Sequence, residues 1–224
     1  MIHGGAMRLH LYLSPNNQIV PFDYQHFLIG AFHKWMGRNE LHDDISLYSL
    51  SWLQGGKMMK DGFNFPNGAK WFISFWDEEI GKQLIMSAMK DPFVCCGMKV
   101  SEIQIQENPS FSNKERFTAA SPIFIRKYDE NRKAKHLTPI DNDADYYLSE
   151  TLKKKLSIAK LNYKAEVRFD KNYINPKTKL VRINGIENRA NFCPVVIEGD
   201  PEAILFAWNV GIGHSTGSTF GALY

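Results

Sequence analysis

One order of patterns, met twice along 224 residues, limits the fold of this chain more than any other feature. Arg8–Leu13 (RLHLYL) alternates polar and apolar residues, the period of a half-buried strand. Pro21 then opens a helix over Phe22–Met36, where Phe27, Leu28, Ala31, Phe32 and Trp35 make one apolar stripe at 3.6-residue spacing. Ile45–Leu53 and Lys70–Trp76 read as strands. Asp77–Met89 reads as a second helix, with Asp77, Glu78 and Glu79 complementing the dipole at its start. Val94–Gln106 alternates again, which completes β-α-β-β-α-β, the ferredoxin-like unit.

After a polar connector, Asn108–Glu115, the order recurs. Ala120–Arg126 is the expected strand, and Asp145–Leu161 the helix, with Leu148, Leu152 and Leu156 in phase. Lys164–Asp170 and Phe192–Glu198 follow as strands, with an extra hairpin arm around Asn172–Arg182. Pro201–Val210 is the second helix and Phe220–Tyr224 the closing strand. The repeat is architectural, without sequence identity between the halves. The expected fold is α+β: two ferredoxin-like (RRM-like) βαββαβ units in tandem, over residues 7–110 and 118–224. A chain of this length buries a real core in such units.

The second unit ends in Gly211–Gly221 (GIGHSTGSTFG), in which four glycines alternate with hydroxyl and imidazole side chains and no charge intervenes. Glycine at that density frees the backbone for positive φ and lets N–H groups converge on one place, where a phosphate is the natural guest. The dinucleotide fingerprint and the P-loop both place their phosphate on the helix that follows the glycines. Here the helix comes before them, so a mononucleotide site is excluded, and a tight helix-to-strand turn is the competing structural reading.

Charge is unevenly spread. Residues 1–112 sum to −2 and residues 113–224 to +5, with the basic residues gathered in Arg126–Lys135, Lys153–Lys164 and Lys177–Arg189. A run such as Lys153–Lys155 reads by itself as a solvated helix face. Cys95, Cys96 and Cys193 lack zinc spacing and a CxxC pair, and read as reduced and structural. No apolar run approaches the ~20 residues that span a bilayer. Residues 1–6 lack the regions of a signal peptide and read as a leader or upstream start before Met7, so the cytosol is the expected location.

Asp141, Asp143 and Asp145 alternate like the head of a calcium loop, but Tyr146 stands where the loop needs glycine and Leu152 where it needs glutamate. They are expected to precede and cap the next helix instead. The seven histidines (His3, His10, His26, His33, His42, His136 and His214) include no i, i+4 pair, and no HExxH or GxSxG occurs. Neither a metal nor a cofactor is called for. Acid–base work by histidine near neutrality remains open. His33 and His26 fall on the side of the first helix away from the apolar stripe, so His33 faces solvent or a partner, and His42 follows in the loop beyond the helix end.

Taken together, the MRLHLYL strand, the Pro21–Met36 helix, Leu41 and His42 before Ser46–Leu50, Ser121-Pro122-Ile123 and the terminal glycine loop resemble the CRISPR-associated endoribonucleases of the repeat-associated RNA-binding (RAMP) superfamily. The resemblance runs from Met7 to the end. It implies two ferredoxin-like units with the glycine loop near the RNA. It also implies metal-free cleavage of CRISPR repeat RNA by 2′-hydroxyl attack, leaving a cyclic phosphate and a 5′-hydroxyl. The family's catalytic histidine falls on His42, and a second position on the first helix, often tyrosine in relatives, falls on His33. Gly211, Gly213, His214, Ser215, Thr216, Gly217 and Gly221 would contact RNA through backbone N–H and hydroxyl groups, with His214 as an auxiliary. The lysine that many relatives carry shortly after the histidine is missing, with Asp43-Asp44-Ile45 in its place; Lys34, Arg38 and Lys57 are the candidates to replace it. Thr219 sits where a glycine usually precedes Phe220-Gly221. The implied partners are CRISPR repeat RNA and other effector-complex subunits, for a monomer or homodimer away from membranes. The rival reading is a catalytically inactive RNA-binding subunit that caps the processed RNA.

Overall fold

The protein is described from a computed structural model over residues 5–37, 45–183 and 185–224. In chain order its elements are β1 (Met7–Leu13), α1 (Gln25–Met36), β2 (Tyr48–Leu50), β3 (Lys57–Met59), β4 (Gly62–Asn64), β5 (Ala69–Phe75), α2 (Glu78–Lys90), β6 (Phe93–Cys95), β7 (Met98–Gln106), β8 (Lys114–Phe117), β9 (Arg126–Tyr128), β10 (Ala134–His136), α3 (Ala144–Ile158), β11 (Ala165–Phe169), β12 (Lys177–Ile183), β13 (Ile186–Phe192), β14 (Val195–Gly199) and α4 (Pro201–Val210).

The first sheet runs β2-β5-β1-β7-β6, antiparallel at each pairing, with Leu9 of β1 opposite Ile73 and Ile105. This is the ferredoxin-like strand order with β6 added at the edge. The alternation of β1 sends Leu9, Leu11 and Leu13 into a core with Leu28, Phe32 and Trp35 of α1 and Leu84 of α2. At the start of α2 the Asp77 carboxylate accepts the Glu79 N–H at 2.9 Å, an N-cap worth about 1 kcal/mol. The stretch Val94–Gln106 is two strands rather than one. Cys96 and Gly97 take φ of 49° and 82°, which turns the chain back on itself.

The second sheet runs β11-β14-β8, and its fourth position is held by the chain end. Leu223 bridges Ala119, Ala120 N–H donates to Ala222 O (2.8 Å) and Tyr224 N–H to Thr118 O (3.0 Å). The two halves are therefore tandem ferredoxin-like units, the second with an interrupted sheet. The expected strands Ala120–Arg126 and Phe220–Tyr224 do not form ladders. Pro122 has no N–H to give, and the segment changes partners in succession: the chain end at 118–121, Asn191 of β13 at Ile123, then β10 from Arg126 onward. The unit's first strand is β8, which begins within the stretch that reads as a connector and runs two residues past it. The hairpin arm is longer than expected, β12 against β13 over Lys177–Phe192. Leu148, Leu152 and Leu156 of α3 pack with Ile204 and Phe206 of α4 over Val167 and Ile197.

Asp143 stands at the N-cap of α3 without capping it through its side chain, which pairs instead with Lys127. Asp141 accepts Thr138 N–H, and Asp145 accepts Phe169 N–H at 2.9 Å. Cys95 and Cys193 are buried free thiols, and burial pushes them up to about 12 and about 11. Among the described residues no helix is long and apolar enough to cross a membrane.

The units are tied by polar groups that find partners across the seam. Arg8 is buried, with no ion pair among the described residues. It donates to Ser74 Oγ (2.6 Å) and Trp208 O (2.7 Å), its guanidinium 3.3 Å from the Trp208 ring centroid. Ser49 Oγ donates to Asn209 O, and the backbone N–H of Trp52 to Ala120 O.

Candidate nucleic-acid interface at the glycine loop

Helix α4 ends at Gly211 (φ 70°), and the loop beyond it packs too closely for side chains at its glycines. A Cβ on Gly221 would lie 1.9 Å from Ile212 O, one on Gly213 2.5 Å from Phe124 O, and one on Gly217 2.4 Å from Ser46 Oγ. The glycines are thus required by close contact with the backbone of the second unit and with side chains of the first. Gly211, Gly213, Thr216, Gly217 and Gly221 are buried, His214 is half-buried, and Ser215 is exposed. The turn reading describes the glycines, which build the loop; His214 and Ser215 are the side chains that it leaves accessible.

The charge comes from another element. On α3, Thr151, Lys154 and Lys155 share a face at i, i+3 and i+4. Lys155 is buried, and its ammonium donates three bonds of 3.0 Å, to Val210 O, Gly211 O and Thr216 Oγ1. The first two are carbonyls left over at the C-terminus of α4, where the dipole favours a cation. Thr216 Oγ1 in turn donates to Tyr48 O (2.9 Å), so one chain of hydrogen bonds joins α3, the loop and β2. Burial pushes Lys155 down to about 7, with no ion pair among the described residues to oppose it.

His214 N–H donates to Phe124 O (2.8 Å), and its Nδ1 accepts Arg126 N–H at 3.4 Å. Burial first, then the charges of Arg126, Lys155 and Lys154, bring the imidazole down to about 4. Near neutrality the ring is therefore uncharged with its proton on Nε2, a donor. Arg126 Nε is buried with no hydrogen-bond partner among the described residues. These groups line a cleft of about 380 Å³ together with Thr151, Ser215, Thr216, Ser218, Ile45 and Ser46. Among the described residues no carboxylate lines it. Cations, hydroxyls and a neutral imidazole donor around one cavity suit a phosphate oxygen.

His33 lies in the last turn of α1, half-buried and off the core, and α1 packs against residues 216–218 of the loop. His42 lies outside the described residues, as does Arg38, while Ile45 and Ser46, which follow that segment, are in the cleft wall. Lys34 is engaged elsewhere, paired with Asp91 (3.0 Å) and donating to Phe93 O (2.7 Å). Lys57 is exposed on β3. The residues that sequence reasoning missed are Arg126, Lys154 and Lys155. A signal for the last existed: Lys155 is seven residues after Leu148, in phase with the apolar stripe and so on the buried face.

Residues 105–224 match the family model described as CRISPR associated protein Cas6, C-terminal. No curated protein sequence matches the chain. Solved structures of similar fold include the product of a Cas6-related gene from Pyrococcus furiosus (20% identity, 98% of each chain, TM-score 0.86). They also include a RAMP protein binding different RNA substrates (19%, 97% of this chain and 98% of that one, TM-score 0.85). A Cas6 product complex is similar at 12% identity, over 99% of this chain and 100% of that one, with a TM-score of 0.70.

Proposed function

The chain belongs to the Cas6 family of CRISPR-associated RAMP proteins, and on that premise we propose that it is a metal-independent endoribonuclease cutting CRISPR repeat RNA. The observation that carries the proposal is the cleft beneath the glycine loop, where the described residues include no carboxylate and Arg126, Lys154 and the His214 Nε2–H are available to one phosphate. In the reaction a base takes the proton of the ribose 2′-hydroxyl, whose oxygen attacks the adjacent phosphorus. An acid protonates the departing 5′-oxygen, leaving a cyclic phosphate and a 5′-hydroxyl. His42 and His33 are the proposed acid–base pair. In sequence His42 precedes Ile45, a residue of the cleft wall, by three positions. Arg126 and Lys154 take the role of the missing lysine, stabilising the charge that builds on the phosphorane.

Labelled repeat RNA incubated with the protein in EDTA tests this. Product is expected, and its absence, or its loss only on chelation, rejects the proposal. His42→Ala is expected to abolish cutting while leaving RNA affinity within a few-fold. A 2′-deoxy substitution at the scissile nucleotide is expected to stop cleavage; a protein that binds both substrates and cuts neither is the capping subunit instead.

A further inference from the structure

Trp52 belongs to two places at once. Its indole N–H donates to Thr219 O (3.0 Å) and so holds the glycine loop, while the side chain also lines a second cleft of about 270 Å³. That cleft opens between the turn entering α1 and strand β12 of the hairpin arm. Its aromatic wall is Phe22 and Trp52, and its charged rim is balanced: Asp23 and Glu187 against Lys179 and Arg182. Unlike the cleft at the loop, it therefore does not select an anion.

The informative group is Gln25. It is 1% exposed, lines this cleft, and its Oε1 has no hydrogen-bond partner among the described residues. A buried amide oxygen left unpaired is costly, so a donor brought to it by a ligand is favoured. In the same cleft the Lys179 ammonium lies 4.8 Å from the Trp52 ring centroid, on an exposed strand and a flexible stem. An aromatic face under a displaceable cation, with an unpaired amide acceptor in the same cleft, matches how unpaired bases are held: stacked, and read along their hydrogen-bonding edge.

We propose that this cleft takes one unpaired nucleobase with an amino group where uracil and hypoxanthine carry a carbonyl, the 4-amino group of cytosine or the 6-amino group of adenine, from the RNA bound at the loop. The base stacks on Trp52, its amino group donates to Gln25 Oε1, and the displaced Lys179 moves to the neighbouring phosphate. Uracil and hypoxanthine would set a carbonyl oxygen against Oε1, two acceptors face to face. The subsite rests on the RNA-processing reading above, and it reports to the cutting site through the Trp52–Thr219 bond.

The test uses the full-length protein and repeat RNA in which each unpaired cytosine is changed to uridine and each unpaired adenosine to inosine, one at a time. At one position the change is expected to weaken wild-type binding about tenfold, the size of one lost hydrogen bond, and to have no effect on Gln25→Leu. If no position behaves so, or if Gln25→Leu keeps the discrimination, the subsite is refuted. Wild-type protein needs no variant to fold: 8-azidoadenosine at that position should photolabel the peptide carrying Trp52 or Phe22, and labelling elsewhere alone refutes the subsite. RNA binding and cutting that persist without any base effect overturn this proposal and leave the nuclease standing. Failure of wild type to bind repeat RNA removes both.

Discussion

Thr219 holds φ 63° and ψ 34°, a left-handed conformation in which a β-branched side chain crowds its own backbone, and its buried hydroxyl has no partner among the described residues. Thr219→Gly removes both costs against the greater freedom glycine has in the unfolded chain. Net stabilisation of about 1 kcal/mol is expected, a rise of roughly 2–4 °C in Tm for a chain of this size. His214 offers a second measurement. Its folded-state value of about 4 lies below the ordinary 6.5, so between these values the unfolded chain binds more protons and the protein loses stability as pH falls through that window. Imidazole NMR titration should find the low value in the free protein. Inorganic phosphate or RNA at saturating concentration should raise it, because an anion in the cleft offsets Arg126, Lys155 and Lys154. An unmoved titration would place the phosphate elsewhere.

Helix α3 joins core and site in a single element. Its leucine stripe buries one face, and that stripe continues into Lys155, whose three acceptors hold the end of α4 and the loop in place. Lys155→Met fills similar volume but strands two carbonyls and a hydroxyl. A loss of about 2–4 kcal/mol is expected in urea unfolding. The burial that lowers Lys155 to about 7 has its own signature. Between that value and the ordinary 10.5 the unfolded chain binds more protons, so wild-type stability rises with pH there, and the variant should lose that rise. Lys153 and Lys154, the other members of the run, do stay on the surface, Lys153 paired with Glu150 at 2.7 Å.

For the whole molecule, the cations of the cleft belong to separate elements: Arg126 to β9, Lys154 and Lys155 to α3. The loop they face reaches across to Tyr48 and Trp52 of the first unit. A ligand there bears on both units together. Arg126→Ala and Lys154→Ala are each expected to weaken RNA binding at low salt and to reduce the slope of log affinity against log salt by about 1. A variant that changes affinity without changing the slope is not a phosphate contact.

Local pattern was enough for the elements with strong periods: β1, α1, α2, α3 and α4 lie where alternation or the 3.6-residue stripe puts them, because those periods follow from backbone geometry. It was enough, too, for the order β-α-β-β-α-β twice over and for the glycines of the terminal loop. Packing settled the matters that lie beyond any one stretch of chain. Residues 120–126 look like one strand but serve three partners in turn, since hydrogen bonds go to whichever backbone packing brings alongside. Lys155 looks like a solvated charge but is buried, because carbonyls about 55 residues further along the chain satisfy it. The electropositive cleft exists only where α3, β9 and the chain end converge; composition recorded those cations without saying which would meet.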